Sequence, residues 1–540
     1  GGISRMIRLI LKNSSIDHQS ADGKAFQYRR ALARESDYML PALSRIDMEE
    51  LRELIEKARY FILHAPRQTG KTTCLLALRD QINAEGEFRA IYANVEPAQA
   101  ARGNVDVAMA TIAFDLAKML ERELGNGLYE QISANPPNSR LSDLLRCASE
   151  RSSKPLIVFL DEVDALVGDT LISLLRQIRA GYTDRPKRFP QTMILCGVRD
   201  VRDYRMTMAD GEVITGGSAF NIKAESLRLG DFSEVQMRAL YAQHTEATGQ
   251  QFSQEALKLC WHLTQGQPWL VNALGEQLVF KIKPNRDRSI VMDVVHVREA
   301  AEALILRNDT HLDQLTDKLR EPRVRSVIEP MLLGLDNQAG DADLQYVMDL
   351  GLIRREKSNI KPANAIYAEV LSRVLSNVAQ SNLHEDRIHP SWQDASGKMH
   401  PAQFMRNFFA FWKKDGEPMM RTVSYHEAAP HLVLMAYLQR VVNGEGRIER
   451  EYAAGSGRLD LYVEHHGLGM AIEVKVWRDR RPDPIIDGLE QIDRYLTRLN
   501  LQTGFLVIFD QRTTAPEFDA RIVEESALTA SGKTITVWRG

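Results

Sequence analysis

Residues 59–73 read RYFILHAPRQTGKTT, an apolar run that stops at a proline and gives way to Gly-Lys-Thr-Thr. A run of this length, rich in aromatic and aliphatic residues, predicts a buried strand, and the residues from Lys71 onward predict a helix. The loop between them, Ala65, Pro66, Arg67, Gln68, Thr69, Gly70, Lys71, Thr72 and Thr73, is therefore placed where a helix N-terminus can aim its free N–H groups at phosphate oxygens. Lys71 supplies charge for the outer phosphates and the Thr72 hydroxyl an oxygen for magnesium. The pattern GxxxxGK[ST] has a glycine where this chain has Ala65, so the loop opens without a residue free to take positive φ. Its closing half, Gly70-Lys71-Thr72, is complete.

Upstream, DMEELRELIEKA (47–58) predicts a helix capped by Asp47. Downstream, strands RAIYANV (89–95), PLIVFL (155–160) and TMILCG (192–197) alternate with helices near 106–124, 141–151 and 170–180. Such alternation predicts a parallel sheet covered on both faces. In a sheet of that kind ligands sit at the strand ends. PLIVFLDEVD (155–164) ends in two acids at that position: Asp161 to orient magnesium and Glu162 to polarise the water that attacks a γ-phosphate. Arg199, in ILCGVRD, follows the next strand and can touch the γ-phosphate or stand as an exposed loop arginine. Arg176 and Arg179, on the helix after Asp164, either serve as fingers in a neighbouring subunit or form a solvated helix face, and the second reading is preferred. From Phe232 to about Arg307 the period is helical almost throughout, and residues 343–371 read as helix, turn, two brief strands and helix, the order of a winged helix.

A second constellation lies in GRLDLYVEHHGLGMAIEVKVW (457–477). Residues two apart on a strand share a face, so Glu473 and Lys475 project together while Val474 turns into the core. A hairpin at EHHGLGM brings Asp460 opposite Glu473. Asp460, Glu473 and the Val474 carbonyl are hard oxygen ligands suited to magnesium, and Lys475 can orient the attacking water and offset phosphate charge. The striped helix YHEAAPHLVLMAYLQRVV (425–442) carries Glu427 at its start, and GLEQIDRYLTRL (488–499) carries Gln491 and Tyr495 on one face. Arg447, Arg450, Arg458 and WRDRR (477–481) either hold phosphates or form an ordinary solvated rim. Trp477 either stacks on a base or caps the core. His465 and His466 read as exposed loop residues, not ligands.

The bulk properties set limits on these readings. At 540 residues the chain exceeds a single core, and 44% hydrophobic with 26% charged residues is ordinary globular composition. No apolar run is long enough for a membrane span. Cys74, Cys147, Cys196 and Cys260 form no CxxC pair, which points to reduced residues and a cytoplasmic location. The first residues lack a secretory pattern, and Gly1-Gly2 reads as non-native with Met6 as a native start. A net charge of -3 excludes a globally basic coat for nucleic acid, so any such contact is local.

HAPRQTGKTT, FLDEVD, GVRD and the later GQPWLV (266–271) together resemble the AAA-like ATPases allied to the STAND group, and DYMLPALSRID (37–47) is similar to that family's lead-in segment, which lies against adenine. The resemblance implies ATP and Mg2+ as cofactors and a nucleotide-sensing role for Pro268. The order of helix, strand, Asp460, strand, Glu473-x-Lys475, helix and strand resembles the PD-(D/E)xK nuclease fold. That likeness implies Asp460, Glu473 and Lys475 as the active-site triad, Glu427 as the first-helix acid, and Gln491 and Tyr495 as the substrate-side pair; Leu459 stands where the pattern has proline. The expected architecture is a multidomain α/β chain. It has an extension (1–36), a P-loop AAA-like parallel-sheet ATPase (37–230), a helical lid (231–312), a winged helix (313–376), a linker (377–400) and a restriction-endonuclease-like domain (401–540). The implied activity is a nucleotide-switched, magnesium-dependent nuclease acting on nucleic acid, DNA first, with a homo-oligomer as a possible assembly and a role in defence against foreign DNA. A STAND-like regulator with a non-catalytic nuclease fold is the alternative, and a helicase-like motor, lacking further motifs, comes last.

Overall fold

The computed structural model describes residues 25–26, 37–198, 205–207, 213–215, 225–307, 312, 315, 317–332, 339–356, 359–381, 399–422, 433–438, 446–453, 458–465 and 467–540. Side chains are described at most of these, the exceptions including 414–422, 449–453 and 458–460. The chain divides into two compact units, one reaching to Arg307 with Asp349–Gly351, the other formed by the rest.

In the first unit Asp47 caps helix α1 (Met48–Glu56) by accepting the N–H groups of Glu49 and Glu50 at 3.0 Å. Strand β1 (Phe61–His64) leads through the loop to α2 (Lys71–Glu85), followed by β2 (Arg89–Asn94), α3 (Val105–Leu124), α4 (Pro137–Arg151), β3 (Leu156–Asp161), α5 (Asp169–Ala180), β4 (Thr192–Gly197) and β5 (Glu225–Arg228). The five strands lie in the order β2-β3-β4-β1-β5, and every pairing is parallel. Alternation along β3 divides the core: Ile157 and Phe159 pack with α1 and α2 residues such as Leu51 and Leu75, while Val158 and Leu160 pack with α3 to α5 residues such as Leu116, Leu145 and Leu174. Each such buried aliphatic side chain contributes roughly 1.5–3 kcal/mol relative to exposure, and the two layers hold the strand ends rigid.

The expected strands are present, with two differences. The fifth, β5, was not anticipated, and α4 begins at Pro137 rather than near residue 141. The helical region follows as α6 (Glu234–Thr248), α7 (Gln254–Thr264), α8 (Pro268–Glu276) and α9 (Val294–Leu306). Ser233 and Gln236 form a capping box at the start of α6. Tyr38, from the lead-in segment, is buried in this helical core, its hydroxyl 3.0 Å from His244 Nδ1.

In the second unit α10 (Pro322–Leu332) and α11 (Asp341–Asp349) precede the antiparallel pair β6 (Ile353–Glu356) and β7 (Asn359–Pro362), then α12 (Ala365–Ser381). Residues 377–381, expected as linker, are helical: neither glycine nor proline interrupts the chain between Asn364 and His389, so nothing stops the helix there. Helix α13 (Pro401–Thr422) runs past the expected end near 413. Of the expected helix 427–442, residues 433–438 are described and helical.

Strands β8 (Gly446–Ala453), β9 (Arg458–His465) and β10 (Leu468–Trp477), helix α14 (Ile485–Leu499), and strands β11 (Thr503–Asp510), β12 (Val523–Leu528) and β13 (Thr534–Arg539) complete the unit. The sheet order is β8-β9-β10-β11-β13-β12, with β10, β11 and β13 parallel and the other pairings antiparallel. Helix α14 is the crossover between β10 and β11, and its Ile492 and Leu496 pack on Leu506 and Ile508. His465, expected in an exposed loop, is the last paired residue of β9 and only 2% exposed. Its pairing with Leu468 leaves two residues for the turn, one of them Gly467 at φ 75°. His466 lies outside the described residues.

Candidate functional site

At the end of β1 the chain turns sharply enough to put Gln68 at φ 59° and Gly70 at φ 81°. Gly70 caps α2, so the helix N-terminus opens onto the hollow of the loop. Lys71 is 6% exposed and its Nζ donates to the carbonyls of Ala65 and Pro66, both at 3.1 Å. The Thr69 hydroxyl donates to the Pro66 carbonyl at 2.8 Å, closing the loop on itself. The lysine ammonium thus sits inside the loop with its charge held by neutral carbonyls, ready for a stronger anionic partner.

Asp161, at the end of β3, is fully buried and meets the loop directly: Thr72 Oγ1 donates to its Oδ2 at 2.8 Å. This pair of hard oxygen donors beside Lys71 fits a magnesium ion carried by nucleotide phosphates. Glu162 follows in the left-handed region at φ 58° and ψ 39°, its N–H donating to Asp161 Oδ1 at 2.9 Å. A non-glycine residue there costs roughly 1–2 kcal/mol, and the conformation swings the Glu162 side chain off the strand axis. Burial pushes the Glu162 carboxyl above the usual range, opposed by Lys71 and reinforced by the charges of Asp164 and Asp161. Asp164 is engaged elsewhere, accepting the Val198 N–H at 3.1 Å. Arg199 lies outside the described residues. Pro268 is the first residue of α8, two residues after Gly266 at φ 77°.

Two residues that sequence reasoning passed over stand at this site. Tyr92, on β2, donates its hydroxyl to Asp161 Oδ2 at 2.9 Å. The signal available was a tyrosine inside a buried strand, since such a hydroxyl needs a partner. Arg45 donates to the Gly230 carbonyl at 3.0 Å and reaches close beside Gly70. It lies within DYMLPALSRID, the lead-in segment marked by resemblance, but no local pattern singles out the arginine.

In the second unit the register of β9 and β10 sets Asp460 opposite Glu473 and Leu459 opposite Val474. Glu473 is fully buried, Lys475 is 5% exposed, and Lys475 Nζ lies 3.0 Å from Glu473 Oε1. The same ammonium donates to Gln491 Oε1 on α14 at 2.5 Å. The structure therefore brings Glu473, Lys475 and Gln491 together, with the Asp460 backbone across the strand pair. Val474 is buried on the opposite side of β10, as its position in the strand requires. Tyr495 has its ring enclosed among Ile492, Leu496, Leu506 and Ile508. Glu427 and the side chains of Asp460, Arg447, Arg450 and Arg458 lie outside what is described. Trp477 donates to the Arg481 carbonyl at 3.0 Å, and the Arg512 guanidinium covers its ring at 3.3 Å. Among the described residues no three His, Cys, Asp or Glu side chains gather as for a metal ion, and no helix is long and apolar enough to cross a membrane. All four cysteines are free thiols, three of them buried.

With this geometry in view, comparisons with known proteins address the first unit. A family model described as an AAA domain matches residues 53–204, the stretch that holds the loop, Asp161 and Glu162. The chain carries an AAA-like, ATP-binding P-loop ATPase domain built on a parallel sheet. Among solved structures, a Walker-type ATPase of Pyrococcus abyssi is similar at 15% identity and TM-score 0.43, over 60% of this chain and 93% of that one. Cdc6p from Pyrobaculum aerophilum is similar at 14% identity and TM-score 0.36, over 66% and 98% of the two chains. RuvB of Thermotoga maritima is similar at 11% identity and TM-score 0.32, over 60% and 95%. No curated protein matches the sequence.

Proposed function

We propose that the chain is a nucleotide-switched, magnesium-dependent nuclease whose ATPase half governs a PD-(D/E)xK-type site in the second unit. The observation that carries this reading is the convergence of Glu473, Lys475 and Gln491 on one point of the sheet, with Asp460 opposite Glu473. Cross-strand partners have Cβ atoms about 4.5–5.5 Å apart, a separation at which two carboxylates can share a divalent ion. Bound there, magnesium supplies a Lewis acid for phosphodiester hydrolysis. Asp460 and Glu473 hold it, Lys475 holds the attacking water and offsets phosphate charge, and Gln491 fixes the Lys475 ammonium. At the other site Thr72 and Asp161 hold magnesium, Lys71 holds the outer phosphates and Glu162 orients water. Pro268 and Arg199 respond to the nucleotide, and the helix–hairpin–helix of 341–381 serves as a winged helix. Nucleic acid, DNA first, is the substrate, and a homo-oligomer is the working form.

The test is cleavage of labelled single- and double-stranded DNA and RNA by purified protein with Mg2+ and ATP or ADP, beside Lys71→Ala and Asp460→Ala. Cleavage that Asp460→Ala removes and Lys71→Ala uncouples from nucleotide supports the reading; an Asp460→Ala protein as active as its parent sinks it. The complete burial of Glu473 favours a second reading, in which this fold is a docking module of an ATP-dependent regulator. No cleavage of any substrate, together with ATP-dependent binding of DNA, selects that one.

A further inference from the structure

We propose that Tyr92 is a positioning residue for Asp161, setting the affinity of the ATPase site for magnesium and not its affinity for nucleotide alone. The Asp161 carboxylate is fully buried and accepts three hydrogen bonds of distinct origin: from Thr72 Oγ1 at 2.8 Å and Tyr92 Oη at 2.9 Å on Oδ2, and from the Glu162 N–H at 2.9 Å on Oδ1. Two of these come from groups that take part in the site's own chemistry. The Thr72 oxygen is itself a magnesium ligand by the reading above, and the Glu162 N–H belongs to the neighbouring acid. Tyr92 alone comes from an adjacent strand with no other duty at the loop.

Its reach follows from the register. Asn94 pairs with Asp161 and Tyr92 with Phe159, so Tyr92 and Asp161 share a face of the sheet two residues apart along it, and the length of the phenol spans that gap. The ring packs into the same core layer as Phe159, Cys196 and Ala90. Packing of the ring therefore fixes where the hydroxyl meets Asp161. A carboxylate so held presents one orientation to an incoming cation, and residues that orient a metal ligand typically change metal affinity by roughly 10–100-fold when removed.

Tyr92→Phe keeps the ring and its packing and deletes only the donor. With full-length protein, ADP binding is measured by titration calorimetry first in EDTA and then across a MgCl2 series, so that no turnover is required. The expected result is an ADP affinity in EDTA equal to the parent's, with the Mg2+ concentration for half-maximal tightening raised about tenfold or more. Equal Mg2+ half-points in variant and parent overturn the proposal. So does a loss of ADP affinity that is the same in EDTA and in Mg2+, because Tyr92 would then only pack the loop. The inference rests on Asp161 orienting magnesium, which Asp161→Asn tests separately: if that variant keeps the parent's Mg2+ dependence, the metal reading itself fails, whatever Tyr92→Phe shows.

Discussion

Gly266→Ala should open the helical region at the turn before Pro268, and its cost can be worked from two glycines that share a conformation. Gly249 and Gly266 have φ of 79° and 77°. A side chain in that region costs roughly 1–2 kcal/mol, and at Gly249 this is the whole cost, since an added Cβ meets nothing within 4 Å. At Gly266 the added Cβ would lie 1.9 Å from the Phe232 carbonyl oxygen and 2.9 Å from Trp261. The first of these is backbone and cannot swing away as a flexible side chain would. Relief requires the 229–232 link to move by more than an ångström, which breaks the bond from Phe232 N–H to the Gly266 carbonyl, now 2.9 Å. Losing that bond costs about 0.5–1.5 kcal/mol, and the displaced packing adds about 1–3 kcal/mol. The expected totals are therefore about 1–2 kcal/mol for Gly249→Ala and about 2.5–6.5 kcal/mol for Gly266→Ala.

A single unfolding free energy is ill defined in a chain of several domains, so the assay is hydrogen exchange by mass spectrometry on peptides covering 234–306, which reads local opening. Gly266→Ala should raise exchange in α7 and α8 by an amount Gly249→Ala does not reach. Equal exchange in the two variants would refute the reasoning, because it would mean the close approach to Phe232 constrains nothing.

Two further outcomes follow from the second unit. Asp493 accepts Lys533, Ser531 and Thr529, and these contacts, Lys533 first, draw its carboxyl down to about 2. Its folded value lies below its unfolded one, so the stability it lends is present above about pH 4 and lost as pH falls through about 2. Asp493→Asn should accordingly lower the melting temperature of this unit at pH 7 by about 2–4 °C, for a solvent-screened contribution of about 1 kcal/mol, and the gap should shrink as pH falls toward 2; a gap that does not shrink contradicts the linkage. Gln491→Ala removes the amide oxygen that holds Lys475, and under the proposed nuclease reading should cut kcat about tenfold with KM unchanged, as loss of a positioning contact does. An unchanged kcat, with cleavage established in the parent, removes Gln491 from the site.

What the sequence showed and what it hid follow from how each element is held. Strands β1, β3 and β4 are buried on both faces and wrote themselves as apolar runs, so the loop and Asp161 could be placed by counting from their ends. Two of the edge strands could not. Glu225–Arg228 and Val523–Leu528 are short and largely exposed, read ESLR and VEESAL, and exist because a neighbour offers hydrogen bonds, which no local pattern records. The early start of α4 was legible in principle, since Pro137 occupies a first-turn position where its missing N–H costs nothing, but the polar Asn138-Ser139-Arg140 conceals the period. In the second unit the alternation of Glu473, Val474 and Lys475 gave the shared face, and the four-residue spacing of Gln491 and Tyr495 gave a common helix side. It could not give depth on that side: Gln491 reaches Lys475 on β10, while Tyr495, one turn further on, is enclosed by the crossover packing of α14.

Lys71 and Lys475 are nearly as buried as each other, and the difference in how each is held bears on the order of events. An ammonium removed from water needs oxygen partners. Lys71 donates to two neutral carbonyls and meets the Glu162 carboxyl only through space, so an arriving phosphate competes mainly with two dipoles. Lys475 has one neutral amide oxygen and the Glu473 carboxylate, so its field toward a substrate is largely cancelled while that pair stands. Under the function proposed above, the phosphate loop therefore takes nucleotide without prior metal. The second site, by contrast, gains an effective cation only once a metal ion engages Glu473. Nucleic-acid binding there should depend on divalent ion more steeply than nucleotide binding does, and anisotropy of labelled DNA with the Lys71→Ala protein, titrated with Ca2+ as a non-catalytic ion, measures the second dependence alone. Binding that is insensitive to Ca2+ would mean that Lys475 is not held in check by Glu473 in the way its 3.0 Å contact implies.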